Sequence, residues 1–89
     1  MPQREVEIVN EHGLDAPACA KLTQLAAKYQ CNVSLTRRGR TVNAKSLMGV
    51  MMLAAGKGSC VVLETDGPDE LEALGAIVAL IGGHFGEGQ

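Results

Sequence analysis

Eighty-nine residues, 46% hydrophobic and 20% charged, are enough for one small globular domain spanning 1–89, and they exclude a disordered chain. One Tyr, one Phe, no Trp and a formal net charge of −2 leave neither stacking platforms nor bulk attraction for nucleic acid, so no nucleic-acid partner is expected. No apolar run of about 18 residues is present, and MPQREVEIVNEHG carries charges where a signal peptide needs an apolar stretch; a cytoplasmic protein without a membrane span is expected.

In chain order, residues 3–9 alternate with Val6 and Ile8 on one side, which predicts a half-buried strand. Residues 10–14 form a loop with Gly13. Asp15 then has the character of a helix N-cap, and Pro17 sits in the first turn, where a missing N–H costs little. A helix over 16–28 follows, with Ala18, Leu22, Leu25, Ala26 and Tyr29 on one stripe. Residues 32–36 read as a strand with Val33 and Leu35 inward. Arg37, Arg38 and Gly39 make a tight turn, and 40–43 complete a hairpin. Ser46 can cap a short helix over 47–52. After a turn at 56–58, residues 59–65 form a fourth strand, with Cys60 and Val62 on one face and Val61 and Leu63 on the other. Pro68, Asp69 and Glu70 open a last helix to about Gly82, striped by Leu71, Leu74, Ile77, Val78 and Ile81. The order βαββαβα predicts an α+β open-faced sandwich: a four-stranded antiparallel sheet with three helices on one face. A ferredoxin-like sheet is the nearest alternative.

Charge is unevenly placed. Residues 1–15 carry a net −3, residues 16–63 carry +7 with no acid, and residues 64–89 carry −6 with no base. That arrangement predicts a positive face able to steer toward an acidic partner or a phosphate, with a merely dipolar solvated surface as the plainer reading. Three cysteines, Cys19, Cys31 and Cys60, contain no CxxC and cannot all pair within one chain; reduced, mostly buried thiols are expected.

Three stretches carry a family resemblance: AKLTQLA in the first helix, GRTVNAKSLMGVMMLAAGKG over 39–58, and LETDGPDELEAL with LIGGHFGEG toward the end. They resemble HPr, the histidine-containing phosphocarrier family of the bacterial phosphoenolpyruvate–sugar phosphotransferase system, over nearly the whole length. The resemblance implies an HPr-like sandwich, phosphoryl carriage from enzyme I to sugar-specific IIA domains, and no cofactor or metal. It also implies a Gly-Leu-His-Ala-Arg signature, whose His takes the phosphate and whose Arg helps to hold it. This chain reads Gly13-Leu14-Asp15-Ala16-Pro17. Asp15 occupies the phospho-histidine position and Pro17 the phosphate-binding Arg position, and the flanks align without insertion or deletion.

A helix N-terminus favours phosphate on a nearby side chain, because its N–H groups are unpaired and carry partial positive charge. Asp15 reads first as a simple cap. A second reading makes it a partial mimic of the phosphorylated state, lacking the phosphate oxygens. His12, three residues upstream, is the alternative acceptor, with an exposed loop histidine as the plainer reading. A metal site of His12, Asp15 and Cys19 has no recognised ligand spacing. Ser46 reads as an N-cap. By resemblance it is also a regulatory position, since some members are phosphorylated at this serine by a kinase and then act with a transcriptional regulator. Leu47, Met48, Met51 and Met52 crowd a helix too short to bury them all. The resemblance makes them a partner-docking face, with Arg40 and Lys45, together with Arg37, Arg38 and Lys57, as a basic rim. The plainer reading puts Val50, Met51 and Leu53 in the core. Two functions therefore compete: a phosphocarrier with Asp15 at the acceptor position, and a non-phosphorylatable regulatory or partner-binding relative acting through Ser46 and the docking face.

Overall fold

The computed structural model describes residues 1–87. Strands β1 (Gln3–Glu7), β2 (Asn32–Arg37), β3 (Arg40–Asn43) and β4 (Cys60–Asp66) form one sheet in the order β1-β4-β2-β3, with every pairing antiparallel. Helices α1 (Ala16–Ala26), α2 (Leu47–Met52) and α3 (Glu70–Gly82) cover one face, and a left-handed turn (His84–Gly86) follows α3.

The register sets the two faces of the sheet. Val61 lies opposite Val6, and Leu63 lies opposite both Arg4 and Leu35. Because side chains alternate along a strand, Val61, Leu63 and Thr65 of β4 share the helix-covered side with Val33 and Leu35 of β2, and all five are buried. The other side is polar. There Thr36 and Thr41 pair across β2 and β3 at 2.8 Å between hydroxyls, with Glu5, Glu64 and Ser34 around them. Cys60 belongs to this polar side and is exposed, so only Cys19 and Cys31 are buried thiols.

The elements depart from the predicted ones at their ends. β1 stops at Glu7 because the Ile8 backbone turns to the 58–59 loop, donating to Ser59 O at 2.8 Å and accepting from Gly58 N at 2.7 Å. α1 closes at Ala26, and Leu25 and Tyr29 are only half-buried, while Cys19, expected as a buried thiol but left out of the stripe, is in the core. In α3 the row facing the sheet is Ala73, Ile77 and Ile81, flanked by Leu74 and Val78. Leu71 was expected in that stripe but is 73% exposed. At about 100° per residue it lies roughly 200° round the helix from Ala73.

Asp69 occupies the N-cap position of α3 without capping it. Its carboxylate instead accepts from the backbone N–H groups of Gln30 and Cys31, both at 2.9 Å, and so ties the α1–β2 connection to α3. The Gln30 bond, reinforced by the Cys31 bond against a smaller desolvation effect, holds this carboxyl below the usual range. The stability it contributes is complete above the ordinary Asp value of about 3.9 and is lost as pH falls through the lower folded value. Urea unfolding from about pH 6 to about pH 2 should therefore show a shallower acid loss in Asp69→Asn than in the parent, with the difference confined to the acid end.

Candidate functional site

The loop before α1 is built by close backbone approach. Gly13 has φ 63°, and its N–H donates to Asn10 O at 3.2 Å. Leu14 N donates to Ala55 O at 2.8 Å. A Cβ on Gly13 would stand 2.7 Å from Gly56 Cα and 2.8 Å from Ala55 O, so this position requires glycine for space as well as for conformation. Asn10 is fully buried beneath the loop. Its Nδ2 donates to Gly13 O at 2.8 Å and to Glu87 Oε1 at 3.2 Å, joining the loop to the chain's far end. Nothing in the local sequence pattern marked Asn10 as a strut, because one of its partners lies 77 residues away.

This loop delivers Asp15 to the N-terminus of α1. Asp15 is extended (φ −78°, ψ −179°), and its Oδ1 accepts from Ala18 N at 3.1 Å. Pro17 is exposed in the first turn, where its missing N–H leaves no helix bond unmade. His12 is exposed on the loop. Cys19 lies buried under the helix end, its thiol donating to Leu14 O at 3.3 Å. Burial and then the charge of Asp15 push this thiol up, which keeps it protonated and unreactive. The segment Asp15-Ala16-Pro17 thus presents one half-exposed carboxylate at an anion-favouring helix end, with neither imidazole nor guanidinium in it. Among the described residues, no three His, Cys, Asp or Glu side chains gather as metal ligands.

α2 packs beside α1. Ser46 caps it, its Oγ accepting from Gly49 N at 3.1 Å. Val50 and Leu53 enter the core, and Leu47, Met48, Met51 and Met52 stay 46%, 70%, 42% and 57% exposed. Met51 is therefore on the surface with its neighbours, and the reading that placed it in the core fails: a six-residue helix presents only one side to the sheet. The rim cations are anchored. Arg37 Nη1 donates to Leu53 O at 3.0 Å, and Arg40 Nη1 donates to Met52 O at 3.3 Å. Both sit at the C-terminal carbonyls of α2, where positive charge complements the helix dipole. Lys45 Nζ donates to Tyr29 O at 2.6 Å.

A family model for the PTS HPr component phosphorylation site matches residues 2–82. The chain is 61% identical over 89 residues to phosphocarrier protein HPr of Cupriavidus necator, with all of both chains covered. It belongs to the HPr phosphocarrier family. The crystal structure of HPr-C-His from Thermoanaerobacter tengcongensis superposes with a TM-score of 0.95 at 40% identity, covering 98% of each chain. A more distant HPr family relative, HPr-like protein Crh of Halalkalibacterium halodurans, is 41% identical over 81 residues, covering 91% of this chain and 96% of its own. The βαββαβα sandwich is thus the HPr fold. Among the described residues, no helix is long and apolar enough to cross a membrane.

Proposed function

We propose that this HPr-family protein docks on the family's phosphotransferase partners, enzyme I and the IIA domains, without carrying phosphate at residue 15. The observation that supports this most is the α1 N-terminus, where the Asp15 carboxylate is already spent as the helix cap to Ala18 N. A carboxylate there cannot form a phosphoimidazole, and Pro17 offers no charge to hold a phosphate. The adjoining apolar face is meanwhile exposed, with Met side chains of a kind that adapts to several partners. Asp15 also places a fixed negative charge where a phosphate would stand, which suits a module that competes for, or reports on, the loaded state of its partners.

Ser46 supports a regulatory branch of the same reading. Its hydroxyl is only half-buried, at a helix N-terminus beside the docking face. A phosphate added by a serine kinase would sit comfortably at that helix end and would change the face seen by a transcriptional regulator.

Intact-mass analysis after incubation with enzyme I, Mg²⁺ and phosphoenolpyruvate should show no added phosphate. Binding to unphosphorylated enzyme I, followed by calorimetry, should persist in the parent and fall roughly tenfold or more in Met48→Asp/Met52→Asp, as expected for truncating an interface centre. An acid-labile phosphate on the parent would overturn the reading, and His12→Gln would then test whether His12 accepts it.

A further inference from the structure

The β2–β3 hairpin and the 57–60 segment line an open groove on the surface. A cleft of about 490 Å³ is lined by Arg37, Arg38, Lys57, Gly58, Ser59 and Cys60. An adjoining cleft of about 310 Å³ shares Arg37 and Arg38 and reaches Arg40 and Met52–Ala54. Neither lining contains a carboxylate. The acid nearest by strand register is Glu7, opposite Cys60 on the polar side of the sheet.

Two local costs concentrate here. Arg37 and Arg40 lie directly opposite each other in the β2–β3 register, and like charges so placed repel. Arg38 is held in the left-handed region at φ 50°, followed by Gly39 at φ 80°. A two-residue hairpin turn of this kind suits Asn or Gly at its first position, and a long cation there is strained. Strained backbone clusters at ligand clamps, and an anion seated between these cations would offset their repulsion. The geometry is also partly set beforehand. Arg37 is fixed by its bond to Leu53 O and Arg40 by its bond to Met52 O, each through Nη1 only, so further guanidinium donors remain to be used.

We propose that this cleft binds a compact phosphate-bearing anion, with Arg38 and Lys57 closing on it, Arg37 pre-positioned and the Ser59 hydroxyl donating. The volume suits a small ligand, and guanidinium forks match phosphate oxygens in pairs. The site is separate from the α1 N-terminus and does not depend on what residue 15 does.

Inorganic pyrophosphate and orthophosphate, titrated at constant ionic strength and followed by amide NMR, test this. Pyrophosphate should produce saturable shifts confined to residues 37–40 and 57–60, and it should bind more tightly than orthophosphate. Arg38→Asn should bind pyrophosphate at least about tenfold more weakly, having lost a charge-assisted contact. Its melting temperature should hold or rise, because Asn is at ease in the left-handed turn. Shifts that follow ionic strength alone, shifts centred on the α1 or α2 N-terminus, or an Arg38→Asn affinity equal to the parent's would each overturn the proposal. So would tight binding of an acidic peptide with none of pyrophosphate, which would make the cleft a protein-docking surface instead.

Discussion

The double variant Asp15→His/Pro17→Arg should gain one acid-labile phosphate from enzyme I and phosphoenolpyruvate, where the parent gains none. The scaffold around residue 15 already has what a phosphohistidine requires. Gly13 lets the loop pass within contact of Gly56, Leu14 is pinned to Ala55, and residue 15 is delivered half-exposed to the free end of α1. Removing the carboxylate frees the Ala18 N–H, which now bonds Asp15 at 3.1 Å, to face a phosphate oxygen instead. Arg at position 17 restores a backbone donor that Pro lacks and adds a guanidinium beside the phosphate.

The single variant Asp15→His should be phosphorylated roughly tenfold or more slowly than the double one, because hydrogen bonds to a charged group contribute about 1.5–3 kcal/mol. Both changes weaken the resting fold. Losing the cap costs about 1 kcal/mol, and a cation in the first turn of a helix costs about 0.3–1 kcal/mol more. The melting temperature should fall on the order of 10 °C, which a small domain tolerates. A folded double variant that binds enzyme I by calorimetry yet gains no phosphate would show that the loop lacks something a phosphohistidine needs, and one that does not bind would show that the proposed partners are wrong.

What the sequence made legible followed from periodicity and local chemistry. β3 and α2 lie where alternation and the Ser46 cap predict them, and Asp15 caps α1 as its residue type suggests. Alternation in 59–65 separated Cys60 and Val62 from Val61 and Leu63, but only the packing of helices on one side shows which pair is the core. The apolar stripe of α3 placed Leu71 inward because a run rich in apolar residues does not say which side of the helix faces the sheet, and Leu71 lies on the side away from Ala73. Asp69 opens α3 as the sequence suggests, yet its carboxylate is taken by two N–H groups about forty residues away. The cations of the basic cleft were named in the sequence as a rim of the docking face, but not that Arg37, Arg38 and Lys57 meet in one cleft, since its walls come from segments about twenty residues apart. Long-range partners of this kind leave no local pattern to read.

Phe85→Ala should destabilise the protein by about 3–5 kcal/mol, the range for removing a buried aromatic ring, a large share of a small domain's total. Phe85 is the only Phe in the chain and is 1% exposed, although no periodicity announced it. It lies in a turn where His84, Phe85 and Gly86 have φ of 60°, 53° and 75°. Left-handed backbone costs roughly 1–2 kcal/mol for each of the two non-glycine residues, so the turn forms only because burying the ring offsets most of that cost. The Phe85 carbonyl also accepts from Lys21 Nζ at 2.6 Å, which fastens the turn to α1. Without the ring, the turn should relax and release Glu87 from Asn10 Nδ2, its 3.2 Å tie beneath the Asp15 loop. Thermal unfolding should drop on the order of 15 °C or more. Amide exchange should quicken at residues 10–15 as well as at 84–87, because Asn10 would keep Gly13 O as its one remaining partner. A loss of stability without faster exchange at residues 10–15 would show that the ring supports the core alone and that the chain's far end does not brace the loop.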